Sequence, residues 1–153
     1  MTNRLSLLAP LALLACAGAA TAATLDVIKT PTCGCCSEWV ARMRSAGFTV
    51  KTRDVPDTAP VARAAGVPDA LRSCHTAKIG GYVIEGHVPA ADIRRLLAQK
   101  PKAVGLSVPG MVAGSPGMEM GGRVDRYQVL LIHKRGKPTV WGTHGEGAGK
   151  HQH

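Results

Sequence analysis

An α/β domain with a single hydrophobic core is what this sequence predicts, and three observations carry that prediction. Segments with strand-like and helix-like patterning follow one another in the order βαβα, then a ββ pair, then α. A strand runs directly into a cysteine cluster that opens a helix. The chain, at 153 residues, is long enough for one real core. Phe, Trp and Tyr together number only five, so Val, Ile, Leu and Ala must fill that core. Gly and Pro make up 28 residues, mostly in the second half, where long irregular loops are expected.

Residues 24–30 (TLDVIKT) set Leu25, Val27 and Ile28 among polar neighbours and read as a strand. Pro31-Thr32-Cys33-Gly34 is a turn. Ser37 to Ala46 reads as a helix with Trp39, Val40 and Met43 on one face and Gly47 as its stop. Phe48 to Val55 is a second strand, with Phe48, Val50 and Val55 expected to face inward. Thr58 to Ala65 is a short second helix ended by Gly66 and Pro68. Ala77 to Glu85 predicts two short strands around Gly80-Gly81. Pro89 suits the first position of a third helix, because its missing N–H costs nothing there. Ile93, Leu96 and Leu97 form the buried stripe of that helix, and Pro101 ends it. Residues 101–123 are a Met/Gly/Pro-rich loop, and Tyr127 to Ile132 with Pro138 to Trp141 suggest a C-terminal β-hairpin around Arg135-Gly136. The βαβα-ββα order, with the cysteine motif at the strand-to-helix junction, matches a thioredoxin-like arrangement. There is no internal repeat.

The expected organisation is a signal peptide over 1–23, a domain over 24–142 and a flexible His-rich tail over 143–153. In the leader Arg4 is the one charge, Leu5 to Ala15 is apolar, and Ala20-Thr21-Ala22 offers small residues for cleavage. The apolar run is too short to span a membrane. Leu13-Leu14-Ala15-Cys16 offers the alternative of a lipoprotein signal with Cys16 carrying the lipid, which is the one route to membrane attachment. Either way the domain is expected outside the cytoplasm, as a periplasmic protein. Of 19 basic residues Arg4 alone lies in the leader, so the remainder outnumber the 10 acidic ones by about eight. Arg42, Arg44, Lys51, Arg53, Arg94 and Arg95 are dispersed and lack interleaved aromatics, so nucleic acid is not an expected partner.

Cys33-Gly34-Cys35-Cys36 places three thiols in four residues, and Cys74 is the other cysteine of the expected domain. At a helix N-terminus, exposed N–H groups and the helix dipole favour thiolates, the form needed for both metal binding and disulfide exchange. A structural disulfide is common in exported domains but does not call for three clustered thiols. A redox pair of Cys33 and Cys36 leaves Cys35 and Cys74 idle. A soft-metal site uses all four sulfurs. Four thiolates suit one zinc ion, while crowded cysteines favour sulfurs that bridge several Cu(I) ions. Met111, Met118 and Met120 supply soft thioethers in the loop, with simple loop packing as the rival use. His75 and His87 are candidate imidazole ligands beside Cys74 and before the third helix. His144, His151 and His153 lie in the expected tail and offer weak scavenging at most; His133 reads as structural.

Thr32-Cys33-Gly34-Cys35-Cys36 with Trp39-Val40, Gly66-Val67-Pro68, Ser73-Cys74-His75-Thr76-Ala77, and the run from Gly81 to Pro89 resemble the CopG-type copper-resistance proteins. Val108-Pro109-Gly110-Met111 and the run from Gly114 to Glu119 complete the likeness, which extends from about residue 24 to about 141. This bacterial family has long carried the label of a domain of unknown function and is unrelated to the plasmid repressor of the same name. Val112 stands where the family pattern leads one to expect Pro. The resemblance implies a thioredoxin-like fold, a periplasmic address and a copper-homeostasis role. It further implies that Cys33, Cys35, Cys36 and Cys74 bind copper, as a polynuclear Cu(I)–thiolate cluster. A metal-binding protein for sequestration, or for transfer to periplasmic copper-handling proteins or an exporter, is therefore the expectation. The alternative is a thiol or copper oxidoreductase using Cys33 and Cys36. In thioredoxin-like proteins a cis-proline faces the dithiol, and Pro68 is the candidate here.

Overall fold

The computed structural model describes residues 23–119 and 121–145. The expected leader up to residue 22, including Cys16, lies outside them, as do Met120, His151 and His153. The fold is mixed α/β, with seven strands in one sheet and three α-helices among the described residues.

Strand β1 (Leu25–Lys29) turns Leu25, Val27 and Lys29 inward, the period of two expected of a half-buried strand. Helix α1 (Gly34–Ser45) follows and buries Cys36, Trp39, Val40 and Met43. It begins three residues earlier than the apolar pattern predicts: Cys33 is its N-cap, and Cys35 and Cys36 lie in its first turn. Gly47, at φ 87°, ends it, a backbone geometry that glycine adopts without strain. Strand β2 (Val50–Asp54) is at the sheet edge, with four of its five residues exposed. Phe48 and Val50 pack against the core as expected but, like Val55, are only half-buried, because an edge strand has a neighbour on one side only.

Helix α2 (Ala59–Ala64) and a 3₁₀ turn (Asp69–Leu71) lead to β3 (His75–Ile79) and β4 (Tyr82–Glu85), joined through Gly80-Gly81. Helix α3 (Ala90–Gln99) takes Pro89 as its N-cap rather than its first residue, and Lys100 at φ 48° closes it. Ile93 and Leu96 are buried as expected, Leu97 half-buried, and Asp92 is buried unexpectedly. Strand β5 (Gly105–Ser107) lies inside the segment predicted to be loop. Three residues opening on glycine give no periodic signal. The glycine is needed, since a Cβ at 105 would lie 1.8 Å from the Val83 carbonyl oxygen. Strands β6 (Tyr127–Ile132) and β7 (Thr139–His144) form the predicted hairpin.

The sheet order is β2-β1-β3-β4-β5-β6-β7. Strand β1 pairs parallel with β2 and antiparallel with β3; β4 is antiparallel to β3 and parallel to β5. Adjacent residues of β4 face opposite ways and mark two layers. Ile84 packs with Trp39, Ile93 and Leu96 of α1 and α3, whereas Val83 packs with Ala62, Val67 and Leu71.

One further expectation is corrected, and one candidate is removed. The tail does not begin at 143: Thr143 and His144 belong to β7, and His144 Nε2 lies 2.7 Å from Asp92 Oδ2. That contact spends His144 on holding β7 to α3, not on scavenging metal from a free tail. No peptide bond among the described residues is cis, so Pro68, at φ −61°, is not a cis-proline facing the dithiol. No helix among the described residues is long and apolar enough to cross a membrane.

Gly105→Ala is expected to disrupt the β4–β5 pairing at a cost of about 1–3 kcal/mol. For a domain of this size that lowers the melting temperature by roughly 5–15 °C, measured by circular dichroism.

Candidate metal centre

Lys29, the last residue of β1, pairs with His75, the first of β3. That register sets Cys74 against the turn leading from β1 into α1. The four sulfurs of Cys33, Cys35, Cys36 and Cys74 consequently lie within 4.8 Å of one another. Cys33 and Cys36 are joined in a disulfide, while Cys35 and Cys74 are free. Cys35 Sγ lies 3.6 Å from Cys33 Sγ and 3.9 Å from Cys74 Sγ. Cys36 Sγ lies 3.6 Å from the Cys74 carbonyl oxygen. Cys74 therefore faces the cysteine cluster across the end of the sheet.

A second donor group shares Cys74. His87 Nε2 lies 3.1 Å and His75 Nδ1 3.5 Å from Cys74 Sγ, and the three donor atoms lie within 4.8 Å of each other. The His87 tautomer follows from its other nitrogen. Nδ1 is 2.8 Å from the Pro116 carbonyl, which only accepts, so Nδ1 carries the proton and Nε2 presents its lone pair to Cys74. A ring oriented by a backbone carbonyl in this way is typical of metal-ligating histidines. His75 is fully buried, with its ring centroid 4.5 Å from that of Trp39, and its Nε2 has no hydrogen-bond partner.

Burial dominates the electrostatics. The Cys74 thiol is pushed up to about 12, first by burial and then by Cys35, so without metal it stays protonated. Its S–H is then placed to donate to the His87 lone pair. Burial also pushes His87 down, keeping the ring neutral. Metal at Cys74 must therefore displace a proton.

The Met-containing loop is strapped over the helix end. A Cβ on Gly117 would lie 2.7 Å from the Trp39 nitrogen and 2.9 Å from the Cys35 carbonyl oxygen, so only glycine allows this approach. Glu119 pairs with Arg42 of α1 at 3.0 Å. Met118, the residue after Gly117, is half-buried. Met111 is exposed and, with Arg72, Ser73, Cys74 and Gly110, lines a surface cavity of about 340 Å³. The Pro116 carbonyl and the Arg42–Glu119 strap were not foreseen. A backbone oxygen has no sequence signature, and a single charge pair across 77 residues has none either.

The fold and the site together define an α/β protein with a sulfur- and imidazole-rich group capable of holding a soft metal ion. The chain belongs to the family of the CopG copper resistance proteins. It is 42% identical to a solved structure described as copper resistance protein CopG, form 2, with a TM-score of 0.76, covering 80% of this chain and 98% of that one. Form 1 gives 43% identity, a TM-score of 0.74, and coverage of 79% and 96%. The family model for a protein of unknown function, DUF411, matches residues 71–118. That span holds Cys74, His75, His87, Met111 and Met118. No curated protein matches the chain.

His75 is pushed down from 6.5 to about 3, by burial first and His87 second. Because the folded value is the lower one, full stability holds above about pH 6.5 and is lost as pH falls toward 3. Metal-free protein is expected to lose about 3 kcal/mol from this group between pH 7 and pH 4. Urea unfolding across that range checks it, and His75→Phe should flatten the loss.

Proposed function

We propose that this protein is a periplasmic copper-binding protein of copper resistance that holds Cu(I) in a polynuclear thiolate cluster. The observation that carries the proposal is the convergence of four sulfurs within 4.8 Å of one another, in a chain 42% identical to a copper resistance protein. Cu(I) accepts two or three soft ligands, and sulfurs this close suit bridging of several ions. Cys33, Cys35, Cys36 and Cys74 are the proposed ligands. His87 Nε2 is an additional donor whose lone pair already faces the site, and Met111 at the cavity mouth suits a transient thioether contact. Loading needs two prior events: reduction of the Cys33–Cys36 disulfide by two electrons and two protons, and loss of the Cys74 proton. The positive end of α1 then offsets part of the cluster's negative charge.

The reading of the fold as thioredoxin-like is supported by the β2-β1-β3-β4 order with β3 antiparallel, and by the C-x-x-C motif between β1 and α1. The disulfide favours one second reading, a copper oxidoreductase. Two Cu(I) ions would give one electron each to the Cys33–Cys36 disulfide, which takes up two protons and becomes two thiols, leaving two Cu(II). Release to periplasmic copper-handling proteins or an exporter is compatible with either reading. The proposed address follows from the leader read in the sequence.

Anaerobic titration of the reduced protein with Cu(I) is expected to load several ions per chain and protect all four thiols from alkylation. Cys74→Ser should lower both the stoichiometry and the affinity. Unchanged stoichiometry and affinity in that variant would sink the four-sulfur site. Oxidation of two Cu(I) per chain by the disulfide form, with two thiols appearing and dependence on Cys33 but not Cys74, would establish the second reading instead.

A further inference from the structure

A fully buried carboxylate lies behind Cys74 with no part in the site as described. Glu85 ends β4, opposite Thr76 of β3 and Ser107 of β5. Glu85 Oε1 accepts the Ser73 N–H at 2.8 Å, and Oε2 accepts the Thr76 hydroxyl at 2.7 Å. These two bonds straddle Cys74 and His75. The residues just before them are tied down as well. The Ser107 hydroxyl donates to the Leu71 carbonyl at 2.5 Å, and the Gly110 N–H donates to the Arg72 carbonyl at 3.0 Å. The Ser73 hydroxyl donates to the Gly110 carbonyl.

Residues 72–74 carry no helix or strand assignment, yet they must hold a sulfur steady between Cys35 and His87. Glu85 is suited to that task from both sides. It anchors the segment before Cys74 and also leads directly through Gly86 into His87. Gly86, at φ 70°, lets Ser73 pack against it, since a Cβ there would lie 2.5 Å from Ser73 Oγ.

We infer that Glu85 is a positioning residue, whose carboxylate clamps Ser73 and Thr76 so that Cys74 is held in place for metal capture. The inference rests on the metal-site reading for its purpose, though the clamp itself is measurable without metal. Polar groups that orient metal ligands typically change affinity 10- to 100-fold when lost. An apolar replacement leaves the half-buried Ser73 N–H and the buried Thr76 hydroxyl without their acceptor, so the segment between them is released. A glutamine keeps an acceptor for Ser73 and a polar group opposite Thr76.

The test compares the full-length reduced protein with its Glu85→Gln and Glu85→Leu variants. It reads the iodoacetamide alkylation rate of Cys74 without metal, the Cu(I) affinity, and the thiols protected by Cu(I). Glu85→Leu is expected to raise Cys74 alkylation at least about tenfold and weaken Cu(I) binding about 10- to 100-fold. Cys33, Cys35 and Cys36 should remain protected, and Glu85→Gln should stay within about threefold of wild type. If Glu85→Leu does not fold, Thr76→Val removes one arm of the clamp and should give a smaller rise in Cys74 alkylation. A folded Glu85→Leu or Thr76→Val with wild-type alkylation and affinity overturns the inference. So does a Glu85→Gln that behaves like Glu85→Leu. A wild type that binds no Cu(I) would defeat the copper reading, while Cys74 alkylation would still score the clamp.

Discussion

The antiparallel pairing of β1 with β3 is the constraint on which the site depends. With Lys29 opposite His75, the end of one strand and the head of the other meet at a single level of the sheet. The chain leaves β1 through a tight turn into α1, so the first turn of that helix is forced over the head of β3. Trp39 fixes the helix there. Its side chain is fully buried, its Nε1–H donates to the Val88 carbonyl at 3.0 Å, and its ring packs on His75. A tilt of α1 would therefore have to break core packing of a kind whose loss costs several kcal/mol. The sulfurs converge because the core beneath them leaves the helix one place to sit.

Chemically, the resting site is closed in two ways. The disulfide withholds two sulfurs, and burial keeps the proton on Cys74. The second condition follows from setting Cys74 over an apolar core. The two are reversed by different events: the disulfide opens only on uptake of two electrons and two protons, whereas a soft cation entering the reduced site would replace the Cys74 proton and offset the burial of charge. His87 offers a neutral nitrogen whose orientation the Pro116 carbonyl has already set.

The second half of the chain supports this centre in ways a loop-rich composition conceals. Strand β5 carries the sheet on from β4, and Ser107 on it reaches back to the segment before Cys74. The strap from Gly110 to Glu119 touches that segment, His87 and α1 in turn. At the far edge, buried Asp92 binds both Arg95 and His144, which joins β7 to α3.

The order of elements, the helix faces and the four cysteines were legible in the sequence, because local apolar periods and turn residues report on local structure. Trp39, Val40 and Met43 are an example: their spacing alone puts them on one face. Family membership was legible too, in the motifs around Cys33, Cys74 and His87. The helix start at Gly34 was not, since cysteines and glycine carry little helical signal. Nor was β5, which is a strand because of its neighbours and not its composition. Which residue faces the dithiol was also undecidable from the chain, and tertiary packing gave that place to Cys74. The same holds for Glu85 beside Ser73, His144 on Asp92 and the Pro116 carbonyl on His87. The sequence thus determined which donors exist and which helices and strands bear them. Only the pairing of distant strands decided which donors meet, because contacts across dozens of residues depend on packing and register, which no local pattern encodes.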